Sequence, residues 1–319
     1  MRQVAPPRCE SDDATSRVAG APATPVAAPR RRRVRALLAT LCGVLLCASW
    51  AAAGPIKVVA AERVYGDIAS QIGGALVSVQ SILNSPGQDP HAFEASVSTA
   101  RAMAGADVVI YNGIGYDAWA AKLLAASSAP GRDIIDVARL AHKNAGDNPH
   151  LWYEPAAVSA LGEALAATLT RLRPEEAPAF ARGLATFDMA MQGLRQRIAT
   201  LRARYAGTAV TATEPLFDYM ADALGLVMRN DRFQRAVMNG TEPGASAIAA
   251  FEHDLRSHEV KVLLYNRQTS QALAERMRRV AEEAGVPVVS ISETEPPGVG
   301  YTAWMLGQLD QLDRALGAR

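Results

Sequence analysis

The chain has 319 residues, 49% of them hydrophobic, and a formal charge of +1. That length suits one large or two medium domains with a sizeable core. The near-neutral average hides an asymmetry: residues 1–53 carry eight Arg against three acids, and the remainder is acidic with a net charge of −4. No basic surplus is left after residue 54 to suggest nucleic-acid binding, and none is expected.

The first 29 residues are rich in Pro, Ala, Ser and Thr without periodicity, and no packing is expected of them. Arg30, Arg31, Arg32, Arg33 and Arg35 form a positive cluster, residues 36–50 are apolar, and Ala51-Ala52-Ala53 supplies small residues for cleavage. This is the pattern of a signal peptide cleaved near Ala53, which makes the protein periplasmic. The competing reading, a membrane span, is only just long enough at residues 36–53. The long stretch ahead of the arginines raises the prospect of a start downstream of Met1. Cys42 and Cys47 both follow Leu, which disfavours a lipid anchor. With Cys9 they are the three cysteines of the chain, so the exported part has no disulfide and no thiolate metal site.

From residue 54 on, strand and helix patterns alternate. Strand-like runs at 56–60, 77–83, 107–111 and 134–137 are interleaved with helical spacing at 64–72, 96–104 and 116–126. A proline-led helix covers 155–172. Phe180, Leu184, Phe187, Met191, Leu194, Ile198 and Leu201 then form one apolar stripe on a helix over 178–205, about 40 Å long. A coiled-coil dimerisation helix is the alternative for that segment. A second alternating half follows, with strands at 209–213, 260–265 and 287–291 and helices at 215–224, 246–258, 270–284 and 301–316. The expected fold is α/β: two lobes, each a mainly parallel sheet covered by helices, joined by one long connecting helix. The expected divisions are 1–53 leader, 54–173 N-terminal lobe, 174–206 linking helix and 207–319 C-terminal lobe.

Two stretches carry chemistry. Gln88-Asp89-Pro90-His91-Ala92-Phe93-Glu94 and Asn148-Pro149-His150-Leu151-Trp152-Tyr153-Glu154-Pro155 repeat one design, Pro-His on a loop ahead of a helix. Proline pins the backbone and leaves the imidazole exposed on a loop, a suitable arrangement for a metal ligand. His142, His253 and His258 have no comparable setting.

With Thr213-Glu214-Pro215-Leu216-Phe217-Asp218-Tyr219, these motifs resemble those of the metal-binding (zinc/manganese-type) periplasmic solute-binding proteins of bacterial ABC importers. The resemblance covers residues 55–318. It implies two lobes with a cation between them, and it carries the first two ligands onto His91 and His150. It puts the third on Glu214, where zinc-type members usually have His and manganese-type members Glu. The family's fourth ligand is usually an Asp before Pro. The matching stretch here is Ser292-Glu293-Thr294-Glu295-Pro296-Pro297, in which Glu295 is the first choice and Glu293 the second. Asn266 stands where relatives often carry an acid, and the His-rich loop of many zinc-type members is missing. The implied function is capture of Mn²⁺ or Zn²⁺ as a transported ligand, by a monomer, for delivery to an ABC permease in the inner membrane, with no catalysis.

Two imidazoles and two carboxylates give a mixed N/O set of charge −2, which a divalent ion neutralises. Zn²⁺ takes four such ligands tetrahedrally, Mn²⁺ favours oxygen and larger shells, and Zn²⁺ binds almost any such set more tightly. Glu214 leans the set toward manganese, although as an acid before a helix start it also suits capping. Two rival readings are a metal-dependent hydrolase, for which no His-Glu-x-x-His or similar signature is present, and a surface adhesin on the same scaffold.

Overall fold

The computed structural model describes residues 54–85, 93–127, 129–268 and 271–317. His91 and the whole leader, with its cysteines, arginines and expected cleavage site, lie outside the described residues. The unit from Gly54 to Arg319 contains two four-stranded sheets, and every strand pair in both is parallel.

The first sheet has the order β2-β1-β3-β4, from β1 (Ile56–Glu62), β2 (Val77–Leu83), β3 (Val108–Tyr111) and β4 (Asp133–Asp136). The second repeats that order as β6-β5-β7-β8, from β5 (Ala209–Ala212), β6 (Val227–Arg229), β7 (Leu263–Asn266) and β8 (Val288–Ile291). Parallel strands need helical crossovers, which cover the sheets. In the first lobe these are α1 (Arg63–Gly73), α2 (Val97–Ala104), α3 (Ala118–Ala126) and the short α4 (Val137–Leu140). Next come α5 (Pro155–Leu172) and the 29-residue α6 (Ala177–Tyr205). The second lobe adds α7 (Asp218–Leu224), α8 (Asp231–Met238), α9 (Ala245–Arg256), α10 (Ala272–Glu283) and α11 (Tyr301–Gly317). Among the described residues no helix is long and apolar enough to cross a membrane.

α6 is the connecting helix. Six of the seven expected stripe residues are buried, from Phe180 to Leu201, and Leu184 is partly buried. They pack against α1, α5, α7 and α11, so the helix has partners within its own chain along both lobes. The main apolar core is continuous across the molecule: it takes Val58 and Ile110 from the first sheet, Phe187 and Leu194 from α6, and Val210 and Leu264 from the second sheet. Separate apolar clusters back the outer faces, around Phe233 and Phe251 in the second lobe and Val59, Met103 and Val109 in the first.

Differences from the sequence reading are local. Ser96 caps α2 by accepting the Thr99 N–H at 3.1 Å. The helix expected from residue 116 begins only at Ala118, because the Asp117 carboxylate accepts the N–H groups of Asn112 and Gly113 and holds a turn there. β6 and α8 were not expected. β6 is a three-residue edge strand and only partly buried, too short for an alternating pattern to register. α8 buries Phe233 and Val237 but also the polar Gln234, whose Nε2 donates to the Arg229 carbonyl at 2.6 Å.

Candidate metal centre

In parallel sheets ligands gather beyond the carboxyl ends of strands, where the strand order reverses. Two of the sequence-expected acids sit there, Glu214 two residues past β5 and Glu293 two residues past β8, with the amide Asn266 at the end of β7.

His150 is wholly buried. Asn148 Oδ1 accepts the His150 backbone N–H at 3.1 Å and lies 2.7 Å from ring Nδ1. An amide oxygen only accepts, so Nδ1 carries a proton, and in the neutral ring Nε2 then holds the lone pair. Among the described residues Nε2 has no hydrogen-bond partner, although it is buried, and it stands 3.7 Å from Glu293 Oε1, too far for one. Trp152 and Tyr116 meet the ring edge-on, with centroids at 5.5 and 6.1 Å. Behind the motif, Asn112 Nδ2 donates to the Pro149 carbonyl at 2.9 Å.

Glu293 is buried and receives the Tyr116 hydroxyl at 2.9 Å on Oε1. Burial, then the charge of Glu293, pushes the Tyr116 phenol well above its usual range, so it stays a neutral donor. The loop is held from below, with the Tyr153 hydroxyl donating to the Ser292 carbonyl at 2.7 Å and Trp304 Nε1 to Ser292 Oγ at 3.0 Å.

Glu214 is also buried, and its Oε2 accepts from Asn266 Nδ2 at 3.0 Å. The segments bearing Glu214 and His150 are tied across the lobes. Asn148 Nδ2 donates to the Pro215 carbonyl, and the Tyr219 hydroxyl donates to the Asn148 carbonyl at 2.7 Å. A cavity of about 480 Å³ opens beside this junction, lined from both lobes by Tyr116, Asn148, Pro149, Pro215, Asp218 and Arg235. Burial lifts the Asp218 carboxyl to about 6.

Glu295, the first choice for the fourth position, has a different engagement. It is 2% exposed, its Oε2 lies 3.8 Å from Arg63 Nε on α1, and Asp67 is its neighbour. Asp67 also accepts the Tyr301 N–H at 2.9 Å, so this corner ties α1 to the start of α11. Of the two acids weighed from sequence, Glu293 is therefore the one beside His150. Among the described residues no group of three or more His, Cys, Asp or Glu is drawn into a ligand cage.

Burial, reinforced by Asp67 and opposed by Arg63, raises the Glu295 carboxyl to about 9. Its folded-state value exceeds its unfolded value, so its contribution to stability is full below the ordinary carboxylate range and is lost as pH rises through about 9. Thermal unfolding of the metal-free protein between about pH 5 and 9 is expected to show this loss, and Glu295→Gln to flatten it. An unchanged pH slope in the variant would contradict the assignment. A second buried pair lies at the end of β1: burial and then Asp117 hold the Glu62 carboxyl well above its usual range, and burial lifts Asp117 to about 6.

Sequence reasoning missed Asn148, Tyr116 and Gln268 as supports. Only Asn148 left a signal, since an Asn two residues ahead of a backbone N–H is the start of an Asx turn.

The fold and the geometry define a two-lobed α/β protein with a buried histidine at the junction of its lobes. The chain belongs to the family described as zinc-uptake complex component A, periplasmic (ZnuA), whose model matches residues 58–315. It is 25% identical over 303 residues to the metal ABC transporter substrate-binding lipoprotein FimA of Streptococcus parasanguinis, covering 88% of this chain and 96% of that protein. It is 24% identical over 287 residues to the iron ABC transporter substrate-binding lipoprotein MtsA of Streptococcus pyogenes serotype M1, covering 82% and 89%. Its fold is similar to that of FpvC from Pseudomonas aeruginosa, solved in complex with Mn²⁺, at TM-score 0.68 and 22% identity, covering 82% of this chain and 98% of that one.

Proposed function

We propose that the protein captures a divalent transition metal ion, Mn²⁺ or Zn²⁺, outside the cytoplasm and delivers it to an ABC-type importer of the inner membrane, acting as a monomer without catalysis. The observation that carries this reading is His150 Nε2: buried, without a hydrogen-bond partner among the described residues, opposite an Nδ1 that donates to Asn148, and set 3.7 Å from the Glu293 carboxylate. A buried polar atom left in that state costs free energy unless a ligand satisfies it. Family membership supports the same reading, as do relatives named for metal and iron ABC transport.

The proposed ligands are His91, His150, Glu214 and Glu293, with Glu295 reassigned to the contact with Arg63. The proposed parts are a leader cleaved near Ala53, an N-terminal lobe at 54–173, a linking helix at 174–206 and a C-terminal lobe at 207–319. Two neutral imidazoles and two carboxylates match a divalent charge and combine nitrogen and oxygen donors that both Zn²⁺ and Mn²⁺ accept. The cargo must be released as well as held. The apolar core that spans both lobes and α6 argues for small displacements of loops and lobes rather than a wide hinge.

Calorimetric titration of the exported, metal-stripped protein with Mn²⁺ and with Zn²⁺ tests capture, and cellular metal content in a strain lacking the protein tests delivery. One ion bound per chain and a metal deficit in that strain are expected. Failure to bind either ion would overturn the proposal, and metal-dependent hydrolysis of generic ester or peptide substrates would favour the hydrolase reading.

A further inference from the structure

The Glu214 carboxylate is anchored by a run of neutral amides that continues to the other acid. Asn266 Nδ2 donates to Glu214 Oε2 at 3.0 Å, and Asn266 is 1% exposed. Its backbone N–H donates to Thr213 Oγ1 at 3.2 Å, and its Oδ1 accepts the Gln268 N–H at 3.0 Å. Gln268 Oε1 in turn accepts the backbone N–H groups of Glu293 at 2.7 Å and Thr294 at 2.9 Å. Gln268 Nε2 donates to Thr294 Oγ1 at 2.7 Å. Side chains and backbone at the ends of β7 and β8 thus fix Glu214 and the loop of Glu293 relative to one another.

The chemical identity of residue 266 matters here. An acid would place a further negative charge against Glu214, and a basic side chain would cancel one of the two charges that a divalent ion needs. An amide donor does neither. It fixes the plane of the carboxylate and draws electron density from one oxygen, as hydrogen-bonding partners of metal ligands do. With Oε2 anchored, a cation is met preferentially by one Glu214 oxygen rather than by both. One-oxygen donation suits a compact tetrahedral shell, the preference of Zn²⁺. Two-oxygen donation enlarges the shell, as Mn²⁺ favours.

We infer that Asn266 is a specificity-determining residue that restrains Glu214 to single-oxygen donation, so that the site discriminates against cations requiring a larger oxygen shell. This rests on the reading of Glu214 as a ligand under the proposed function. Glu214 in place of histidine moves the donor set toward oxygen, and Asn266 limits how much of that oxygen the cation receives.

The test is a Mn²⁺/Zn²⁺ competition titration of the exported protein and its Asn266→Ala and Asn266→Leu variants, with electron paramagnetic resonance of each Mn²⁺-loaded form. Asn266→Leu keeps nearly the side-chain bulk while removing the donor to Glu214 without adding a charge, so it decides the matter if the alanine variant does not fold. In both variants the affinity for Mn²⁺ relative to Zn²⁺ is expected to rise about tenfold, and the zero-field splitting of bound Mn²⁺ to change. If both affinities fall by one common factor, or neither moves, with an unaltered spectrum, Asn266 is only a structural support and the inference is overturned. A parent protein that binds neither ion overturns the proposed function as well, which keeps the two failures distinct.

Discussion

Replacing His150 by alanine is expected to weaken Zn²⁺ or Mn²⁺ binding by about two orders of magnitude or more, with the fold retained. A protein zinc site is worth about 10–16 kcal/mol, so each of four ligands carries about 3 kcal/mol, and each 1.4 kcal/mol is a factor of ten. Glu293→Gln should give a loss of similar size, because it removes the charge beside Nε2 while keeping the shape and the Tyr116 contact. Glu295→Gln should bind metal nearly as the parent does, since the Glu295 carboxyl is kept protonated by burial and engaged with Asp67 and Arg63 on α1. Calorimetric titration of the three variants checks all of this at once. If Glu295→Gln proved as damaging as His150→Ala while Glu293→Gln proved mild, the ligand assignment would be reversed. Affinity of the parent should also fall on acidification through the histidine range, because the ligands must be neutral imidazole and ionised carboxylate.

Gly183→Ala is expected to destabilise the protein by about 3 kcal/mol, even though alanine is the better helix former by about 1 kcal/mol. Gly183 lies on α6 where that helix passes the end of α1. A Cβ there would sit 2.1 Å from the Ile72 carbonyl oxygen and 2.9 Å from its carbonyl carbon. Backbone cannot step aside as a flexible side chain can, so α6 must shift against α1 and strain the shared core. Gly193 on the same helix is a built-in control: it is exposed, and among the described residues nothing lies within 4 Å of its would-be Cβ. Gly193→Ala should therefore be neutral or stabilising by up to about 1 kcal/mol. In thermal unfolding the first variant should melt roughly 5–10 °C lower and the second no lower. Equal behaviour of the two would mean that α6 does not pack on α1 as described.

The large features were legible because their signals are long or repeated. The stripe from Phe180 to Leu201 extends over seven apolar positions, which only a helix places on one side, and six of them are buried. Strand and helix patterns alternated closely enough to imply two parallel sheets. β6 and α8 escaped because a three-residue edge strand has no period and α8 mixes a buried Gln234 with its apolar face. The histidine loop at 150 was legible from Pro149 and the aromatics behind it, but the role of Asn148 depends on a turn geometry that composition does not reveal. Glu293 and Glu295 were hardest to separate. They lie two residues apart in a loop with no regular period. Contacts remote in the chain distinguish them: Gln268 holds the Glu293 and Thr294 N–H groups, Tyr116 meets the Glu293 carboxylate, and Arg63 and Asp67 meet the Glu295 carboxyl.

The most direct test of the central claim is a crystal structure of the Mn²⁺- or Zn²⁺-soaked protein with anomalous scattering recorded at the metal edge. A single strong peak is expected about 2.0–2.2 Å from His150 Nε2, with a Glu293 oxygen and a Glu214 oxygen also in its shell. A peak bonded elsewhere, with Nε2 left bare or hydrogen-bonded to protein, would contradict the account.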